Sequence, residues 1–279
     1  MNSIIRKIVF ATVFLFPFII FTSTIQAMVF SKSLFLEGVT LIIGTLWIIG
    51  KLLNKEKETE KIPKNIVFLV FGIYVLFLFI SGFSSLVPSL SFWGSLDHGT
   101  GVIFMLSLFL FSLIASSVFK TIEDWYKLLT VFVASGVFFN IGTFLSMVGV
   151  TFSKVYNLNA LSGFLIGNSS WTGVYLTFVF FIGLGVALSS ESKGQKVIGF
   201  LGLLAAFFNP TLTGFIIQAP GASFGYIGLA KTASYSMIVG GVLFALYLIF
   251  RKINSTKLQK AFIGTFLGIA VLGVILAST

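Results

Sequence analysis

Long apolar runs separated by short polar breaks constrain this chain more than any other feature. Two of them, Ile66–Phe83 and Val102–Phe119, come close to the roughly 20 residues that a helix needs to cross about 30 Å of hydrocarbon. Apolar residues make up 57% of the 279 positions and charged residues only 9%, whereas soluble domains are about 45–50% apolar. The sequence therefore predicts an all-α, polytopic transmembrane helix bundle, with residues 1–279 forming a single transmembrane domain.

The spacing of the apolar runs predicts about nine transmembrane helices. Their predicted bounds are Ile8–Met28, Leu34–Leu53, Ile66–Phe83, Val102–Phe119, Leu128–Val150, Trp171–Leu188, Val197–Ile217, Thr232–Phe250 and Ala261–Ala277. Pro17 is expected to kink the first helix and Pro210 to interrupt the seventh, because proline removes a backbone donor. The first run could also be a signal peptide, but Ile25 stands where a cleavage site needs a small residue. We therefore treat it as a helix.

The distribution of basic residues predicts the orientation of the bundle. With a cytoplasmic N-terminus and an external C-terminus, fifteen of the eighteen Lys and Arg residues fall in cytoplasmic loops. Only Lys32, Lys154 and Lys231 fall on the outer side. Cytoplasmic loops of membrane proteins carry an excess of Lys and Arg, so the sequence predicts a chain that starts inside and ends outside. A bacterial inner (cytoplasmic) membrane is the expected location.

Several kinds of chemistry are excluded by residue types. The chain has no Cys and a single His, so it offers no thiol nucleophile and no plausible zinc cluster. We expect no metal site and no cofactor. The formal charge of +10 would suggest nucleic acid in a soluble protein, but here the charge follows the membrane loops. We therefore expect membrane lipid rather than nucleic acid as a partner.

The polar break Ser84–Thr100 is the most informative loop, because it combines Asp97 and the sole histidine, His98, with Trp93. It directly precedes a predicted helix, where unpaired backbone N–H groups and the helix dipole favour an anion. A simpler interpretation is that Trp93 is an ordinary interfacial aromatic residue and His98 a solvated loop residue.

The external cations recur at the entrances of helices predicted to begin on the outer face. Lys32, His98 and Lys231 precede such helices, and Lys154 lies in the loop that enters another. Asn168 is a favoured N-cap type before the sixth helix. We predict that His98, Lys154, Asn168 and Lys231 bind a lipid diphosphate at the outer leaflet. Alternatively, the lysines only anchor helix ends by snorkelling.

Two polar residues inside predicted helices also need an interpretation. Glu37 lies one turn inside the second helix, where a carboxylate is costly enough to be a functional candidate. The nearby Lys32 could instead simply neutralise it. Asn140 in the fifth helix is more typical of an interhelical hydrogen bond than of a ligand contact.

Three segments resemble a known family. SFWGSLDHGTGV (91–102), VFKTIEDWYKLL (118–129) and IGNSSWTGVYLTF (166–178) resemble the N-terminal portion of the O-antigen ligase and polymerase family of bacterial membrane glycosyltransferases. The helix spacing extends the resemblance over essentially the whole chain. It implies transfer of a glycan from an undecaprenyl diphosphate carrier to an acceptor at the outer face of the inner membrane, in cell-envelope polysaccharide biosynthesis.

The chain departs from this family in its cations. Family members commonly carry Arg in the loop after the Trp-Gly motif, where this chain has His98, and Arg before a Gly-Ala pair, where it has Pro220. Arg binds phosphate through a bidentate fork that Lys and His do not reproduce. Members also carry a large outer loop and further helices beyond this length. We therefore expect a truncated or divergent member that is inactive alone, and we assign no catalytic residue.

Two other functional classes fit the sequence. A transporter or flippase would be expected to show internal repeats and polar residues near the midplane, of which only Asn140 and the Asn209-Pro210 break qualify. A non-catalytic assembly partner needs only packing faces, such as the one that Gly264 and Gly268 provide.

Overall fold

The computed structural model describes residues 1–21, 29–53, 65–95, 99–147, 164–166, 169–207, 209 and 239–241. These residues form an all-α bundle. Its helices are α1 Asn2–Leu15, α2 Phe30–Leu53, α3 Ile66–Phe83, α4 Pro88–Trp93, α5 Val102–Val118, α6 Ile122–Met147, α7 Ser169–Ser189 and α8 Lys193–Phe207. Single 3₁₀ turns occupy Phe16–Phe18 and Phe164–Ile166.

Four of the described helices are long and apolar enough to cross a membrane. They are α2, α3, α6 over Ile122–Leu145, and α7 over Trp171–Ser189. The apolar helix α5 is slightly shorter. The described part of the chain therefore has the character of a membrane protein, as the apolar runs predicted. The predicted eighth and ninth helices lie outside the described residues, apart from 239–241, which are helical.

The first predicted helix has the wrong bounds. It begins at Asn2 rather than Ile8 and ends at Leu15 rather than continuing through a kink to Met28. Pro17 lies in a 3₁₀ turn, and Ile19 after it is extended. The reason is local, because proline has no N–H to donate to the preceding turn and its ring crowds that turn's carbonyl. The 14-residue α1 is too short to span about 30 Å.

The start of α6 corrects a second prediction. The fifth predicted helix was expected to begin at Leu128, but α6 begins six residues earlier, at Ile122. Thr121 and Asp124 form a reciprocal cap, in which the Thr121 hydroxyl accepts from the Asp124 N–H at 3.1 Å and the Asp124 carboxylate accepts from the Thr121 N–H at 3.4 Å. Such a Thr-x-x-acid cap satisfies backbone donors that would otherwise be unpaired.

Other boundaries agree more closely with the sequence. Helix α3 spans the predicted Ile66–Phe83, and its start is capped by Asn65, whose side chain accepts from the Val67 N–H at 3.0 Å. Helix α2 starts four residues before the predicted Leu34. Helix α8 starts at Lys193 and ends at Phe207, just before the predicted interruption at Asn209-Pro210.

Two apolar clusters hold the bundle together. One joins α1, α2 and α5 to the start of α6 and contains Ile5, Val9, Ile43, Ile114, Ala115, Val118, Phe119 and Leu128. The other joins α6, α7 and α8 and contains Phe139, Leu176, Val179, Phe180 and Ala206. Helix α6 contributes to both clusters, so it forms the spine of the described bundle.

Glycines allow α7 and α8 to pack with their backbones almost touching. A methyl group built on Gly199 would lie 2.6 Å from the backbone nitrogen of Ala187 and 2.7 Å from the carbonyl oxygen of Gly183. No flexible side chain could move aside there, because both obstacles are backbone atoms. Small residues that permit close backbone approach are typical of helix pairs in membranes.

Candidate functional site

Successive long helices run in opposite directions, so the helix ends lie at two opposite ends of the bundle. At one end of the bundle, the Arg6 guanidinium donates to the Val118 carbonyl at the end of α5, at 3.2 and 2.8 Å. It also donates to the Asp124 carboxylate at the start of α6, at 3.2 Å. The start of α1, the end of α5 and the start of α6 therefore meet at this end of the bundle. The antiparallel connectivity predicted from the sequence places them together in the same way.

The opposite end of the bundle contains a pocket of about 290 Å³. We call it the helix-start pocket, because it lies where α2, α5 and α7 begin. It is lined by Phe16, Val29, Lys32, Ser33, Thr100, Phe104, Ile166 and Trp171. Backbone N–H groups in the first turn of a helix lack intrahelical acceptors, and the dipole makes this end positive. The sequence predicted that these helices begin on one common face.

Among the described residues that line the helix-start pocket, Lys32 is the charged one. It lies in the first turn of α2 rather than ahead of the helix, and its side chain is half-buried. Its ammonium donates to the carbonyl oxygens of Ile19 at 3.2 Å and Leu165 at 2.9 Å. Lys32 therefore connects α2 to the segment after α1 and to the 3₁₀ turn before α7, and it brings a positive charge to the pocket wall.

Lys32 and Glu37 form no direct ion pair in the described part of the chain. The Lys32 ammonium contacts include the Ile19 and Leu165 carbonyl oxygens. Five positions along a helix of 3.6 residues per turn separate two side chains by about 140° around the axis. The geometry therefore gives no direct ion pair between Lys32 and Glu37, and both interpretations of Glu37 stay predictions.

The pocket wall at Thr100 is fixed by two glycines with positive φ. Gly94 has φ +82° and Gly99 has φ +60°, values that side-chain-bearing residues rarely adopt. A methyl group on Gly99 would lie 2.7 Å from the Phe30 ring of α2, and one on Gly94 would lie 2.5 Å from the Thr100 nitrogen. The loop before α5 is thus packed against the first turn of α2.

The pocket combines one cation with apolar walls. Phe16, Phe104 and Trp171 supply aromatic surface, while Ser33 and Thr100 add hydroxyl groups. This lining suits a ligand with a compact anionic group attached to an apolar chain, because the charge can approach Lys32 and the helix starts while the chain contacts the rings.

The four predicted binding residues, His98, Lys154, Asn168 and Lys231, lie outside the described residues. Their assignment stays a prediction. Their chain neighbours bear on two of them, since Thr100 follows His98 by two positions and Trp171 follows Asn168 by three, and both neighbours line the helix-start pocket.

Three pocket residues were missed as binding candidates. Thr100 and Trp171 carry no charge, so their residue types did not distinguish them from other residues at helix starts. Lys32 was noticed as an outer cation but was not included among the binding residues. The available signal was its position as the one Lys or Arg between Lys7 and Lys51, beside an apolar run.

The two buried asparagines lie away from the pocket lining. Asn140 in α6 and Asn209 beyond α8 are 2% and 0% exposed, and the Asn209 side-chain amide donates to the Asn140 side-chain oxygen at 2.5 Å. This confirms the prediction of an interhelical hydrogen bond for Asn140.

Within the described part of the chain, no group of three or more His, Cys, Asp or Glu side chains could hold a metal ion. Comparisons with models of protein families, with curated proteins and with solved structures yield no match to this chain.

Proposed function

We propose that this protein is an O-antigen ligase-like component of a bacterial inner membrane, and that its helix-start pocket binds the diphosphate of an undecaprenyl diphosphate-linked glycan. The reaction that it serves is transfer of that glycan to an acceptor at the outer face. The observation that carries the proposal is the charge of Lys32 in an apolar-walled pocket where three helices begin.

The pocket supplies two attractive forces for a diphosphate. The starts of α2, α5 and α7 line it, and each helix start stabilises a nearby anion by about 0.3–1 kcal/mol at an exposed site. Lys32 adds a full positive charge in surroundings where water screens it less than at an open surface. The aromatic wall of Phe16, Phe104 and Trp171 offers an apolar surface to the first isoprene units of the carrier.

His98, Lys154, Asn168 and Lys231 complete the proposed site. His98 and Asn168 are close in sequence to the pocket residues Thr100 and Trp171. Lys154 and Lys231 are the other two lysines on the predicted outer side. Together with Lys32 they provide the positive charge that a diphosphate requires, although lysine lacks the bidentate geometry of arginine.

The first test is the substitution Lys32→Gln, measured as binding of farnesyl diphosphate to the purified protein in lipid nanodiscs. Glutamine removes the charge but keeps an N–H donor for the Ile19 or Leu165 carbonyl. We expect binding to weaken by more than about tenfold, equivalent to roughly 1.4 kcal/mol. Lys32→Arg should retain most of the binding, and Lys196→Gln, an exposed position on α8, should have no effect.

Two results would contradict this assignment of the pocket. One is unchanged binding by Lys32→Gln when its thermal unfolding matches that of the wild-type protein. The other is an equal loss of binding by Lys32→Gln and Lys196→Gln, which would indicate nonspecific attraction by positive charge.

A second test addresses the predicted outer lysines. Lys154→Ala combined with Lys231→Ala should also weaken diphosphate binding more than about tenfold, whereas Lys57→Ala, on the predicted cytoplasmic side, should change nothing. If inner and outer lysines contribute equally, the proposed site is wrong.

A further inference from the structure

The short helix α4 is held firmly against the end of α3. The Phe92 ring packs edge-on against Phe83, with ring centroids 4.9 Å apart, and against Phe79 at 5.5 Å. The Ser91 hydroxyl donates to the Ser85 hydroxyl at 2.7 Å. These contacts fix which side of α4 faces the rest of the described bundle.

The backbone directly after α4 also has a defined conformation. Gly94 ends the helix with φ +82°, and its N–H donates to the Leu90 carbonyl at 2.8 Å. The close approach of Gly94 to the Thr100 nitrogen leaves no room for a side chain. The sequence predicted a hydrophilic loop in this region, but residues Pro88–Trp93 form a short helix.

The exposed side of α4 is strongly apolar. Leu86 is 102% exposed, Leu90 53% and Trp93 66%. An interval of three positions places Leu90 and Trp93 on the same side of α4, and Leu86 lies in the turn just before the helix. Ser91 and Phe92 point the other way, towards Ser85 and α3. Three large apolar side chains are therefore exposed on α4 and in the turn that leads into it.

This patch adjoins the exposed apolar surface of α3. At the adjoining end of α3, Ile80 is 55% exposed and Phe83 64% exposed, within a helix that is long and apolar enough to span the membrane. Removing Leu and aromatic side chains from water is favourable. Trp is enriched at the boundary between hydrocarbon and water, and Trp93 ends α4.

We propose that α4 lies in the plane of the membrane at the end of α3, with Leu86, Leu90 and Trp93 inserted into the adjacent lipid leaflet. The inference is independent of the proposed glycan chemistry, because it depends only on exposure, packing and the apolar character of α3. It assigns Ser84–Ser95 as an interfacial lipid-binding segment. It also places the pocket residue Thr100, which contacts Gly94, close to the hydrocarbon boundary.

The experiment uses single cysteines, since the chain has none of its own. Leu86→Cys, Leu90→Cys and Trp93→Cys are each labelled with a nitroxide in the full chain, reconstituted in phosphatidylglycerol and phosphatidylethanolamine liposomes. Relaxation by oxygen, which concentrates in hydrocarbon, is compared with relaxation by a water-soluble nickel chelate. Ile80→Cys on α3 is the lipid reference, and Ser192→Cys in the exposed turn before α8 is the water reference.

We expect the oxygen-to-nickel ratio at all three α4 positions to exceed that at Ser192 by roughly threefold or more, because interfacial side chains lie at the hydrocarbon boundary. A ratio equal to that of Ser192 would place the face in water. Low access of both reagents would mean that protein covers it, either another part of this chain or a second copy. Either result would overturn the proposal.

A second measurement avoids altering the face itself. In a variant with Trp47, Trp125 and Trp171 replaced by Phe, the remaining fluorescence comes from Trp93. Brominated lipids should quench it strongly, whereas aqueous iodide should quench it weakly. The reverse order would contradict insertion even if one of the labelled variants fails to fold.

Discussion

Asn209 Nδ2 donates a hydrogen bond to Asn140 Oδ1 across 69 positions of sequence, joining α6 to the residue just beyond α8. Both side chains are almost completely buried. A break in a helix at membrane depth is tolerated only where protein or a cavity satisfies the freed polar groups. The pair therefore explains how the chain can leave α8 at Asn209 without exposing that polar side chain to lipid.

Substituting this pair should reveal coupling between the two residues. Asn140→Leu or Asn209→Leu alone leaves a buried amide without its partner and should lower the free energy of unfolding in detergent by about 1–3 kcal/mol. The double variant should be less destabilised than the sum of the two, since interhelical hydrogen bonds in membranes couple by about 0.6 kcal/mol and up to about 1.7. Strict additivity of the two losses would contradict a direct hydrogen bond.

The glycine contact between α7 and α8 predicts a position-specific effect of one methyl group. Gly199→Ala should destabilise the protein by about 1–3 kcal/mol, because the new methyl meets backbone atoms that cannot move without separating the helices. Gly185→Ala on α7 is the matched control, since nothing lies within 4 Å of its added methyl. Thermal unfolding of the two variants in one detergent checks this. Similar unfolding temperatures would argue against the close backbone packing.

The predicted orientation can be tested with impermeant maleimide. Cysteines introduced singly at Ser95, after α4, and at Ser192, before α8, should react from opposite sides of the membrane. The expectation comes from the fifteen-to-three distribution of basic residues. The expectation also agrees with the structure, because the start of α5, which follows Ser95, and the start of α8 lie at opposite ends of the bundle. Reaction of both cysteines from the same side would show that the predicted topology is wrong.

The outer cations predict binding without catalysis. Glycan transfer needs a base for the acceptor and cations that stabilise the leaving diphosphate, but the predicted outer face offers lysines rather than arginines. His98 is expected to serve the diphosphate as a cation rather than the acceptor as a base. In liposomes supplied with a lipid-linked oligosaccharide and an acceptor, the 279-residue chain should bind the donor and release no product. Multiple turnover that His98→Ala abolishes would make His98 a catalytic base and reject this prediction.

The existence of the membrane helices was readable from local composition. Ile66–Phe83 was predicted at the bounds that α3 has, because a long apolar run in lipid can satisfy its backbone only as a helix. The errors arose where capping chemistry extended a helix into a polar segment, as at Thr121 before α6, and where Pro17 ended α1. Both are local effects, and the cap has a recognisable sequence signature.

The candidate site was only partly predictable. The sequence indicated that helix starts and a few cations share one face, and Lys32 in the helix-start pocket fits that expectation. It did not indicate that Lys32 donates to the Ile19 and Leu165 carbonyls. Such contacts depend on where three separate segments meet, which no local pattern encodes.

By itself, the sequence determined that this chain forms apolar helices of membrane-spanning length, since hydrophobic length is a local property. Only the tertiary structure decided which surfaces meet, such as Asn140 with Asn209 and Gly199 with Gly183. Helices that are apolar on all sides carry no stripe that marks an inward face. Their pairing is set by small residues, buried amides and shape complementarity between segments far apart in sequence.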